Sequence, residues 1–223
     1  MKRRIYVAGL VSSVLLMLTS CNLSINKTVR VRDGETRNSG INTVNGGIII
    51  GDNCEVRGDC HSVNGKIDVG RNSKVEELQT VNGGIRIDEG SMVYGSLESV
   101  NGSVTCDAGV TVEDEINTIN GKIRLYNTRV EENITTINGD ISLKEKSVVV
   151  GDIIIKDSKG TSGDRRRLRI TLEGESVVEG DIMVKEADID VEVILSGDSK
   201  VMGRIENAEV IEEETNSGTE DGI

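Results

Sequence analysis

The tetrapeptide Thr43-Val44-Asn45-Gly46 is written six times in this chain at almost constant spacing. It returns as Ser62-Val63-Asn64-Gly65, Thr80-Val81-Asn82-Gly83, Ser99-Val100-Asn101-Gly102, Thr118-Ile119-Asn120-Gly121 and Thr136-Ile137-Asn138-Gly139. Successive asparagines lie 19, 18, 19, 19 and 18 residues apart. A fixed period of this length belongs to solenoids, in which each coil touches only its neighbours, and argues against a globule packed around one centre.

Within the period, aliphatic or small residues recur at about +3, +5, +9, +11, +15 and +18 from each asparagine. From Asn82 these are Ile85, Ile87, Ser91, Val93, Leu97 and Val100, with Arg86, Asp88, Met92, Glu98 and Ser99 between them. Alternation within each short run predicts a strand, and the breaks at Glu89-Gly90 and Gly95 predict turns. Three short strands per period of about 19 residues describe an all-β fold: a single-stranded, three-sided parallel β-helix, expected to be right-handed. It should have roughly eight to nine coils stacked at about 4.8 Å. In the Asn-Gly corner, asparagine tolerates the left-handed backbone region and glycine enters it freely. The valine of the motif is expected to point inward. Stacked corners align Asn45, Asn64, Asn82, Asn101, Asn120 and Asn138, whose amides can link into a ladder along the axis. Loss of one rung by Asn101→Ala is expected to cost about 1 kcal/mol, the scale of a buried polar group without its partner.

The frame sets the boundaries. Residues 29–211 are predicted to be solenoid, and the charges Arg30, Arg32, Asp33, Glu35 and Arg37 of the first coil suit a water-facing cap. Past Asn138 the corner motif stops, but Leu143, Ser147, Val149, Gly151 and Ile153 are echoed by Leu172, Ser176, Val178, Gly180 and Ile182. A second echo runs through Leu195, Ser199, Val201, Gly203 and Ile205. The echoes are 29 and 23 residues apart, so extra residues must loop out. The first insertion, near 157–167, holds Lys159, Arg165, Arg166 and Arg167, a candidate interaction patch. Residues 212–223 are acidic without Lys or Arg and read as a disordered tail.

Composition agrees with a narrow core of many turns: there is no Trp, Phe or Pro, but 26 Gly. The formal charge is −12, which predicts repulsion of nucleic acid and of bare anionic membrane. Aromatic platforms for sugar rings are missing, with three Tyr and no Trp. His61, the only histidine, has no acidic partner placed by sequence and is not expected to be catalytic. Cys54, Cys60 and Cys106 lie at inward offsets and read as buried thiols, with a Cys54 to Cys60 disulfide left open. Asp52, Asp88 and Glu89 read as solvated corner charges, and one histidine without a C-x-x-C builds no zinc cluster. No metal, cofactor or catalytic residue is expected.

Residues 1–20 combine the cationic start Lys2-Arg3-Arg4 with the apolar run 5–18, too short for a permanent span. Leu18-Thr19-Ser20-Cys21 resembles the lipobox of bacterial lipoproteins. That resemblance implies cleavage before Cys21, acylation of Cys21, and durable attachment by several acyl chains, with residues 21–28 as a tether. Removing the leader takes away three cations and no acid, making the charge −15. Within that resemblance, Asn22 in place of aspartate implies the outer membrane of a bacterial envelope, with the periplasmic or surface face left open. The phrase Ser39-Gly40-Ile41-Asn42-Thr43-Val44-Asn45-Gly46 and the V-x-G-x-I steps at Val149 to Ile153 and Val178 to Ile182 resemble the adhesin-type β-solenoid domains of envelope lipoproteins. The V-x-G-x-I step is also similar to bactofilins, polymer-forming solenoids. Both resemblances imply a non-catalytic scaffold for adhesion, protein interaction or self-assembly. The alternative is an envelope enzyme acting on glycans, which a groove lined by ordered carboxylates would favour.

Overall fold

The computed structural model describes residues 23–156, 166–185 and 189–213. They form a three-sided parallel β-solenoid of about nine coils, with no helix among the described residues. Each coil contributes one short strand to each of three parallel sheets. Sheet I has ten strands, from Leu23–Ser24 through Ile41–Thr43 to Ile205–Glu206; sheet II has ten, from Val29–Val31 to Glu209–Glu213; sheet III has nine, from Thr36–Arg37 to Lys200–Val201. The echoes read from sequence are register partners, with Leu143 beside Leu172 and Leu172 beside Leu195.

The interior consists of straight columns. One in sheet II runs Val31, Ile50, Val69, Ile87, Cys106, Leu125, Leu143, Leu172 and Leu195. One in sheet III is valine from Val56 to Val201. Each aliphatic side chain is covered by the coils above and below. Burial of this kind stabilises by about 1.5–3 kcal/mol per side chain.

Both columns end on a charge. Glu212 follows Leu195 in the sheet II column, and Arg37 precedes Val56 in the sheet III column. A charge at a core position of a terminal coil disfavours a further coil stacking there.

Three boundaries differ from the sequence reading. The first coil begins at Leu23–Ser24, which pairs with Asn42 and Thr43, because sheet I extends one rung into the expected tether. Arg166 and Arg167 belong to the strand Arg166–Leu172, which pairs along its length with Ile189–Ser196. At the C-terminus, Glu212 and Glu213 belong to the strand Glu209–Glu213 rather than to a tail, since backbone pairing to Leu195 and Ser196 continues through them. Residues 1–22, with Cys21, and Lys159, Arg165 and Glu214 to Ile223 lie outside the described residues.

Candidate functional site

The repeated corner lies between sheets I and II. Each asparagine Nδ2 donates to the Oδ1 one coil back: Asn64 to Asn45 at 2.8 Å, Asn82 to Asn64 at 2.8 Å, Asn101 to Asn82 at 2.9 Å, Asn120 to Asn101 at 2.9 Å and Asn138 to Asn120 at 2.8 Å. Asn45 donates in turn to Asn26 at 2.7 Å, a rung that lies outside the tetrapeptide and that sequence reasoning missed. The ladder amides are exposed. Asn101→Ala should therefore lower stability by about 0.5 kcal/mol, the low end for a hydrogen bond that water can replace; urea unfolding checks this, and an effect several times larger would mean the ladder is shielded.

Two expectations about the corner are corrected. None of the six Asn-Gly pairs has a positive φ. Glycine is needed there for close approach: a Cβ on Gly102 would collide with the carbonyl of Gly83, and one on Gly121 with that of Gly102. The motif valines also do not point inward. Thr43, Ser62, Thr80, Ser99, Thr118 and Thr136 are the buried members, whereas Val44, Val63, Val81 and Val100 are half-buried on the outer side. Thr and Val are nearly isosteric, and the hydroxyl is tolerated inside because it finds an acceptor. Thr80 Oγ1 donates to Gly65 O at 2.9 Å, and Ser99 Oγ to Gly83 O at 3.0 Å.

A column of left-handed residues occupies the next corner, between sheets II and III, while Asn26 and Asn207 are left-handed at the corner between sheets I and II in the first and last coils. Asn53, Asn72, Gly90, Gly109, Asn127, Lys146, Glu175 and Asp198 all have φ between 42° and 75°. Each precedes an inward position filled by Cys54, Ser73, Ser91, Val110, Thr128, Ser147, Ser176 or Ser199. There the side-chain oxygens accept from backbone N–H groups one coil back, as Ser91 Oγ does from Ser73 at 3.1 Å and Ser147 Oγ from Thr128 at 3.2 Å. The sequence signal was weak because five residue types share the left-handed position.

His61 stands in the outer row of sheet I, which runs Asn42, His61, Gln79, Glu98, Asn117 and Thr135. Burial lowers its pKa against the opposing pull of Asp59, and its Nδ1 has no hydrogen-bond partner. A hydrogen bond with the neighbouring Gln79 side chain also opposes that shift. Gln79 donates to Glu98 at 2.6 Å, while Gln79 Oε1 is unpartnered. Burial also pushes the Glu98 carboxyl up. Beside the row, burial and then the charges of Glu98, Asp59 and Asp114 push Glu77 up to about 7.

A group raised in the folded state favours folding fully below its ordinary pKa, and this contribution is lost as pH rises through the folded value. Because the free Glu carboxyl titrates at 4.5, the loss should fall between pH 4.5 and 7. From pH 4.5 to above 7, wild type should lose about 1–2 kcal/mol relative to Glu77→Gln, after allowance for screening of a half-exposed group. Urea unfolding of both proteins across that range reads the difference, in which the opposite-signed contribution of His61 cancels to first order. A constant difference would refute the assignment.

Cys54, Cys60 and Cys106 are free and buried. Burial pushes the Cys60 thiol up to about 12 and the Cys106 thiol up as well, so both are poor nucleophiles. Asp52 Oδ1 accepts from Arg71 N at 2.8 Å, Asp88 pairs with Arg86 at 2.9 Å and Glu89 with Arg71 at 3.8 Å.

The basic cluster contributes to a cleft of about 690 Å³ between the last two Asn-Gly corners and the strand Arg166–Leu172. Asn120, Asn138, Lys122, Asp140, Arg166 and Arg167 are among its lining residues. Against the preceding strand Ile141–Lys144 this strand pairs only from Ile170 to Leu172, so its first half projects past the corner together with Ile189 and Val191. Its charges are partly neutralised: Lys122 pairs with Asp140 at 2.8 Å, and Glu192 takes Arg169 at 2.9 Å and Arg167 at 3.6 Å. Lys159 and Arg165 of the expected patch lie outside the described residues. The chain matches no protein-family description, no curated protein and no solved structure.

Proposed function

We propose that the protein is a non-catalytic envelope lipoprotein, anchored through acylated Cys21, whose rigid solenoid serves as a scaffold presenting its lateral faces to partner proteins. In this reading it is a functional counterpart of the adhesin-type and bactofilin-like solenoids that its repeats resemble, placed at the outer membrane. The observation that carries it is the use of the interior. From Val31 to Val193 the inward positions are filled by aliphatic side chains, by buried thiols, or by hydroxyls bonded to backbone. What remains for recognition is the outer surface, where Arg86, Asp88 and Asp107 form a surface charge network and Asn side chains form a ladder.

Fractionation of cells fed a labelled fatty acid tests the anchor. Wild type should carry label and sediment with membranes, and Cys21→Ser should lose both. Label that persists on the serine variant would remove the lipoprotein reading.

A further inference from the structure

We propose that the first coil is a second membrane contact: its basic edge and the exposed Ile25 rest on anionic phospholipid headgroups, so that the solenoid stands upright on the bilayer. The proposal rests on the lipid anchor above and adds to it a partner and an orientation.

The first observation is where charge sits. The chain is strongly acidic, at −12 overall, yet its first coil carries Lys27, Arg30, Arg32 and Arg37 against Asp33 and Glu35. At the other end, Glu206, Glu209, Glu212 and Glu213 stand against Lys200 and Arg204. The expectation of uniform repulsion from anionic membrane therefore does not apply to this end. Lys27, Arg30 and Arg32 are exposed, and the ion pairs among the described residues begin only at Arg57 with Glu55.

The second observation is position. Leu23–Ser24, Val29–Val31 and Thr36–Arg37 are the outermost strands of sheets I, II and III, all at the same end. Cys21 is two residues from Leu23, a reach of at most about 7 Å. An acyl chain on Cys21 thus holds this end within a Debye length of the headgroups, where cations are attracted and the acidic far end is not. The third is apolar. Ile25 is 62% exposed on the same coil, where a large side chain can enter the headgroup boundary.

The test uses acylated full-length protein purified from membranes, labelled with a donor dye on Met202→Cys and bound to vesicles bearing acceptor in their headgroups. Met202 is exposed on the last coil, about 40 Å above the first if rungs are about 4.8 Å apart. The three buried thiols compete poorly for the dye. Energy transfer should be at least about twofold lower on phosphatidylglycerol-containing vesicles than on pure phosphatidylcholine, because headgroup charge holds the axis upright. Lys27→Glu with Arg30→Glu and Arg32→Glu should remove that difference without changing the amount of protein bound. Arg30→Lys with Arg32→Lys should preserve it, which separates charge from local packing.

Equal transfer on both vesicles, or a difference that survives the charge reversal, would overturn the proposal while leaving the anchor standing. Protein recovered without acyl chains would remove the anchor and this proposal with it.

Discussion

Gly102→Ala is expected to destabilise the solenoid by about 3 kcal/mol or more, since overpacking against backbone is among the few causes of effects that large. The added methyl would fall on the Gly83 carbonyl, and that oxygen cannot rotate away as a flexible side chain would. It also accepts from Ser99 Oγ at 3.0 Å, so displacing it breaks a second contact. The informative comparison is Gly34→Ala. Gly34 has φ of 73° and nothing within 4 Å of a new Cβ, so only the left-handed backbone penalty applies there, about 1 kcal/mol. Thermal unfolding of the two variants should separate them by several degrees. If Gly102→Ala proves as mild as Gly34→Ala, coils can spread at the corner and the glycine column is not what sets their spacing.

Removing the charges that close the core columns should change the state of assembly. In Arg37→Val with Glu212→Leu, the valine column of sheet III and the aliphatic column of sheet II would both run to an open end. Open strand edges with apolar columns beneath them are templates for another chain. The mass measured by light scattering should then rise about twofold or more with concentration, relative to wild type under the same conditions, through head-to-tail contacts. Wild type and the double variant behaving alike would show that Arg37 and Glu212 do not act as caps.

Much of this architecture was legible because a solenoid repeats its instructions. The six tetrapeptides set coil length and sheet number, and the echoes through Leu172 and Leu195 carried the register across both insertions. What could not be read was the phase inside the tetrapeptide. Ser99 and Val100 sit side by side, and polarity alone assigns the valine to the interior. The serine lies inside because a carbonyl of the neighbouring coil accepts from its hydroxyl, a partner that exists only after stacking. Similarly, the left-handed corner has no constant letter, since Asn53, Gly90, Lys146 and Glu175 all occupy it. The charges of the first coil read in sequence as a water-facing cap, and a net charge averaged over the whole chain hides that they are mainly cationic.

In the asparagine ladder every amide from Asn138 down to Asn45 donates toward the N-terminal end, so the rungs share one polarity and are interchangeable. Height is therefore a countable quantity in this molecule. Adding or deleting one period moves whatever the upper coils carry by a single step of about 4.8 Å, without altering the base or the cap. The chain is built like a ruler, graduated in coils.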